Sequence, residues 1–169
     1  MTGDNRPEPP SVGGEREMLA GFLDFHRATL LWKLEGLDDE QLRRAMVASG
    51  TSLLGLVKHL AYVERSWFQG VWDGQEVSLP WTTEDPDADW RIEPGETTGD
   101  VLAFYKAECD RSREIVAAAS SLDEIIEHPR RQGWKLSRRW ILIHMVEETA
   151  RHVGHADILR EQLDGAVGE

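Results

Sequence analysis

Apolar residues recur at every third or fourth position along four long stretches of this chain, and that period leaves little room for anything but amphipathic helices. Starting at Glu15, Met18, Leu19, Phe22, Leu23, Phe25, Leu30 and Leu34 form one stripe, which Gly36 ends. Thr51 or Ser52 is placed to cap a second helix reaching about Trp72, with Leu53, Leu56, Val57, Leu60, Val63 and Trp67 facing inward. Thr97, with Asp100 three residues on, opens a third helix to about Ala119. Ser137 opens a fourth, which runs to about Leu163, before Gly165. Between the first two, Asp38 and Gln41 read as the capping box of a short helix.

The connections differ in kind. Residues 73–96 carry Gly74, Pro80, Pro86, Pro94 and Gly95, too many turn formers for a helix, and predict a long crossover. Its Trp81 and Trp90 are expected to pin it over the end of the bundle, because leaving both in water wastes apolar surface. Residues 120–137 read as irregular. Residues 1–14, with Pro7, Pro9, Pro10, Gly13 and Gly14 and few large apolar groups, predict a disordered tail. The expectation is one all-α domain over residues 15–165, whose long second connection allows parallel as well as antiparallel neighbours.

Charge narrows the partners. With 19 basic and 31 acidic side chains the chain carries a formal −12, which repels phosphate backbones and anionic lipid surfaces. Neither nucleic acid nor membrane is an expected partner. No apolar run reaches membrane-spanning length, and the start "MTGDNRPEPPSVGGE" lacks the basic and apolar regions of a signal peptide, which predicts a cytoplasmic protein. Cys109 is the single cysteine, so there is neither an internal disulfide nor a multi-cysteine zinc site. Its neighbours Glu108 and Asp110 are expected to disfavour a thiolate, which makes it a poor nucleophile.

The fourth helix breaks its own pattern. In "HMVEETARHVGH", residues 144–155, the side chains of His144, His152 and His155 fall within about 60° of the direction of Glu148, and so do those of Ile141, Met145, Leu159 and Leu163, at about 100° per residue. An ionised carboxylate on an inward face must be paired, protonated or coordinated, because burying it alone costs more than a domain can spare. Glu148 and His152, at i and i+4, lie over one another and suit one divalent ion; His144 with Glu148, and His152 with His155, are alternative pairs. His59 on the second helix shares a face with Leu56 and Val63 and is the candidate third ligand. Two histidines and a carboxylate leave a position open for water or substrate. A lone core histidine is more often a hydrogen-bonded packing residue, and the pattern has meaning only as a combination.

The pair "SGTSLLGLVKHLAYVERSWF" and "LIHMVEETARHVGHADILRE" resembles the DinB-like superfamily of metal-binding four-helix proteins, in its actinobacterial branch, from about Glu15 to Leu163. The resemblance implies an up-down-down-up four-helix bundle with one divalent ion, zinc or nickel, held by three side chains near one end. Mycothiol-dependent maleylpyruvate isomerases carry histidine, glutamate and histidine there, matching His59, Glu148 and His152 here. His144 and His155 then become pocket-lining or catalytic groups, one of them the acceptor of a thiol proton, and His26, in line with Phe22 and Leu30, faces either the same cavity or the core.

The chemistry this implies is transfer of a low-molecular-weight thiol, mycothiol or bacillithiol, to an electrophilic small molecule. A bound cation would favour the thiolate without a protein cysteine. No counterpart of the isomerases' second domain lies in this sequence, so a transferase or detoxification role is expected ahead of isomerisation. A metal-dependent hydrolase or isomerase, and a non-catalytic metal-binding stress or interaction protein, are the alternatives. Seven tryptophans, with Trp32 and Trp72 at helix ends, suggest a homodimer.

Overall fold

The computed structural model of the protein describes residues 6–167, and most of them are helical. The elements run α1 (Glu15–Trp32), α2 (Asp39–Arg43), α3 (Leu53–Glu64), α4 (Thr98–Ala118), strands β1 (Ile125–Glu127) and β2 (Lys135–Ser137), and α5 (Arg138–Asp164). The helix starts are where capping chemistry puts them. Asp38 accepts from Gln41 N while the Gln41 side chain accepts from Asp38 N, and Thr97 and Asp100 form the same reciprocal pair. Ser52 accepts from Gly55 N and Ser137 from Trp140 N. Each satisfies N–H groups that have no partner inside the helix. Gly36 and Gly165, after α1 and α5, adopt φ of 78° and 76°, the left-handed geometry that ends a helix.

The second long helix changes its winding without stopping. Past α3, residues Arg65–Trp72 continue in wider π-helical turns, closed by Asp73 N donating to Phe68 O, five residues back. α1 packs along α5, α3 packs along α4, and α3 also meets α5. The core between them holds Leu23 and Leu30 from α1, Leu53, Leu56 and Leu60 from α3, Tyr105 from α4, and Ile141, Leu142 and Met145 from α5.

Four details depart from the sequence expectation. Phe22, placed in the first stripe, is 46% exposed, while Arg27 and Thr29 on the same helix are buried. The face of α1 is set by a buried ion pair as well as by apolar period, since the Arg27 guanidinium is held by Glu64 of α3. Residues 120–137 are not wholly irregular: β1 and β2 form an antiparallel pair with Ile126 opposite Leu136, closed by His128 N donating to Trp134 O. Strands of three residues are too short to show an alternating pattern. Trp72 offers no face to a second copy, because it is buried against Phe68 and Arg138 of its own chain.

Of the predicted tail, residues 1–5 lie outside the described residues; in the rest, the Arg6 guanidinium lies over the rings of Phe25 and Trp32. Among the described residues no helix is long and apolar enough to cross a membrane.

Candidate metal centre

The crossover reaches α3 through an unusually close approach. Within it, the short turn Ala88–Trp90 packs on α3, and a Cβ on Gly55 would lie 2.3 Å from the Trp90 carbonyl oxygen. Only glycine lets that backbone seat there. Lys58 secures the next residue, donating from Nζ to the Arg91 carbonyl at 2.7 Å and to Glu96 at 2.7 Å. Trp90 and Asp89 are thereby delivered onto the face of α3 that carries His59. Of the two tryptophans expected to pin the loop over the end of the bundle, Trp90 packs against the core beside His59 and Trp81 meets Tyr62 edge-on, so both contact the length of α3.

His59, Glu148 and His152 come together between α3 and α5, each offering a ligand atom within 4.8 Å of the others. Both imidazoles point the same nitrogen inward. His152 Nε2 lies 3.2 Å from Glu148 Oε1, and His59 Nε2 lies 3.7 Å from the same oxygen. Both outer nitrogens are held from behind, His59 Nδ1 by Asp89 Oδ2 at 2.7 Å and His152 Nδ1 by His155 Nδ1 at 3.2 Å. In the tautomer that would ligate an ion, His59 keeps its proton on Nδ1, donating to Asp89, and turns the Nε2 lone pair inward. His59 Nε2 is buried and has no hydrogen-bond partner among the described residues, because 3.7 Å is too long for one.

The ring environment is tight on one side. Trp90 stacks on His59 with centroids 3.9 Å apart and planes 15° apart, and its ring is 5.4 Å from that of His152. The electrostatics follow from this packing. Glu148 is held well below the usual carboxylate range, first by its contact with His152 and then by His59. Burial works against a charged His59, but the hydrogen bond to Asp89 and the nearby Glu148 outweigh it and push its pKa up.

The remaining histidines fall outside the trio. His144, one turn before Glu148, stacks on Trp140 and is met edge-on by Trp67, and burial lowers its pKa. His155 is exposed beyond its contact with His152. His26 lies edge-on to Phe25. Cys109 is buried, and its thiol is pushed up first by burial and then by Glu64; Glu108, the expected cause, turns instead to Arg65 and Gln69.

Asp89 is absent from the sequence-derived candidates, although it is buried and hydrogen-bonded to the trio. A carboxylate in a proline-rich loop reads as solvated. Its trace in the sequence is Gly55, a helix-weakening residue in an otherwise apolar run, which marks the approach of another backbone.

The donor set suits a divalent ion of intermediate softness. Two neutral imidazoles and a carboxylate are ligands of the kind found in open zinc sites, and the tied Nδ1 atoms are the outer-shell hydrogen bonds that orient such ligands. The orphaned His59 Nε2 fits that use. Residues 18–165 match the sequence profile of the family described as mycothiol-S-transferase. No match to a curated protein is found.

Proposed function

Because the chain belongs to the mycothiol S-transferase family, we propose that it transfers a mycothiol-like thiol to an electrophilic small molecule, with a divalent ion, zinc or nickel, held by His59, Glu148 and His152. The observation that carries this reading is the convergence of two Nε2 atoms on one carboxylate oxygen, with both Nδ1 atoms tied outward. A divalent ion bound there would stabilise a thiolate over a thiol near neutral pH. Cys109, buried with its pKa raised, does not compete for the role of nucleophile.

The other groups divide by tautomer. For His152 to turn an Nε2 lone pair inward, its Nδ1 must donate to His155 Nδ1, so His155 serves as a positioning residue whose acceptor nitrogen is already used. His144 stays neutral at physiological pH because burial lowers its pKa, and we assign it as the acceptor of the thiol proton. We read α1, α3, α4 and α5 as an up-down-down-up bundle forming one domain over residues 15–165, with the crossover as the lid that brings Asp89, and we place the protein in the cytoplasm in a detoxifying role.

The test is elemental analysis joined to a thiol-transfer assay with mycothiol and a panel of electrophiles. One divalent ion per chain and mycothiol-dependent turnover are expected in the wild type, with both lost together in Glu148→Gln. Full metal occupancy and undiminished transfer in that variant would remove Glu148 from the site. A metal-loaded wild type that is inactive with every thiol would overturn the transferase reading.

A further inference from the structure

Trp90, which stacks on His59, is also among the residues lining a cavity of about 810 Å³ between the start of α3 and the crossover. That volume lies within the range of small-molecule sites, about 300–1,000 Å³. The second large cavity, about 700 Å³ among α1, α4 and α5, is lined by Leu23, Val116 and Leu142 together with charged groups such as Glu15, Asp24 and Arg113, and shares no residue with the trio or Trp90.

The lining of the Trp90 cavity is polar and close to neutral. Ser49, Thr51 and Ser52 bring hydroxyls, and the first two are hydrogen-bonded to each other at 2.9 Å. Arg43 and Arg91 bring guanidinium groups, each already matched by a carboxylate: Asp39 at 2.8 Å for Arg43, and Asp85 for Arg91. Asp87 adds an acceptor, and Trp90 and Ile92 add apolar faces. Paired guanidinium groups retain N–H donors with little net charge to attract an anion, and the chain as a whole is at −12. Hydroxyls, amide-like donors and one flat aromatic wall are what a neutral polyhydroxylated ring needs, since its C–H face lies on an indole while its hydroxyls exchange hydrogen bonds around the edge. A thiol with several ionised groups is poorly served by such a lining.

We infer that this cavity binds the sugar-like, polyhydroxylated part of the thiol cosubstrate, with Trp90, which lines it and stacks on His59, as the residue it shares with the surroundings of the metal-binding trio. The inference rests on the transferase reading, because only there does a polyol carry the sulfur that must reach His59, Glu148 and His152. Mycothiol fits as a thiol joined through an amide to a neutral pseudodisaccharide. The crossover then serves both halves of the reaction, Asp89 holding a ligand and residues 87–92 holding the cosubstrate.

The probe is the thiol-free N-acetylglucosaminyl-inositol pseudodisaccharide, which keeps the amide and carries no charge, titrated calorimetrically into the protein as isolated, with glutathione as the charged comparison. Saturable binding of the pseudodisaccharide and none of glutathione are expected. Ser49→Phe, which fills the cavity from an exposed position, should weaken that binding at least tenfold and raise the KM for mycothiol by a similar factor. Thr51→Val, which keeps the shape and removes one hydroxyl, should weaken it severalfold and guards against a folding defect in the first variant. No binding to the wild type, equal binding to both variants, or equal binding of glutathione would overturn the inference. Mycothiol turnover in a wild type that ignores the pseudodisaccharide would leave the transferase reading standing and remove the cavity from it. Pseudodisaccharide binding lost in Ser49→Phe, with no thiol transfer by the wild type, would keep the cavity as a polyol site and remove the transferase reading.

Discussion

Two clusters of charge sit in the interior, and they are built on different plans. Arg27 is 4% exposed and Glu64 1%; the guanidinium donates from Nε and Nη2 to the two Glu64 oxygens at 2.8 and 2.6 Å and from Nη1 to Asp24 at 2.8 Å. Every donor nitrogen faces a carboxylate oxygen, so the pair closes on itself and ties α1 to α3. In the trio, two imidazole nitrogens face one carboxylate oxygen, and the hydrogen bonds that hold the rings lie on their far sides. Burial of charge is common to both; every Arg27 donor nitrogen has its partner, whereas the buried His59 Nε2 has no hydrogen-bond partner among the described residues, and that separates a fastening from a binding site.

The largest effect belongs to the closed cluster. Glu64→Ala leaves a buried guanidinium without its partner and should cost about 3–5 kcal/mol in urea denaturation. If it costs no more than a change at Glu148, the distinction between the two clusters fails. Glu148→Gln should behave in the opposite way. Metal affinity should fall by more than the roughly 10–100-fold typical of an outer-shell change, while the metal-stripped protein loses less stability than Glu64→Ala does, because glutamine keeps the side chain's shape and leaves no buried guanidinium unpaired. A large stability loss with metal content intact would make the trio a second structural fastening.

Asp89→Asn sharpens the comparison further. It keeps a hydrogen bond to His59 but no longer enforces one tautomer, and metal affinity measured by competition with a chelator should drop about 10–100-fold with the melting of the metal-free protein little changed. An unchanged affinity would make Asp89 a packing residue of the crossover.

The smallest effect is a pH signature of the metal-free protein. Glu148 titrates below its usual range, so its contribution is present above the unfolded value of about 4.3 and is lost as pH falls through the lower folded value. His59 titrates above its usual range, so its contribution is full below about pH 6.5 and is lost as pH rises through the higher folded value. The stability difference between wild type and Glu148→Gln should therefore peak between about pH 4.3 and 6.5. A difference that stays flat from pH 4 to 9 would remove the electrostatic coupling between Glu148 and His59.

Much of this molecule is legible one helical turn at a time. Asp38, Ser52, Thr97 and Ser137 announce helix starts because a cap bonds to an amide three residues away, and the side-chain and backbone partners both lie in the sequence window. Glu148 and His152 are legible for the same reason, since four residues of helix bring them within 3.2 Å. His59 needed more: its inward direction is local, but its meeting with α5 is carried by the resemblance of the two motifs. Phe22 shows the limit, because an apolar period says which residues suit a core and not which of them a neighbouring helix covers.

What the amino-acid order determines alone is therefore the helices, their ends and the polar island on the inward face of the last one, all set by hydrogen bonds and side-chain neighbours within about four residues. Tertiary structure alone decides that Asp89 reaches His59 across 30 residues, that Glu64 reaches Arg27 across 37, and that residues 125–137 close into a hairpin. Those contacts depend on how helices of fixed length pack and where the backbone approaches closely enough, as at Gly55 and Trp90, and no local period encodes a distance between elements.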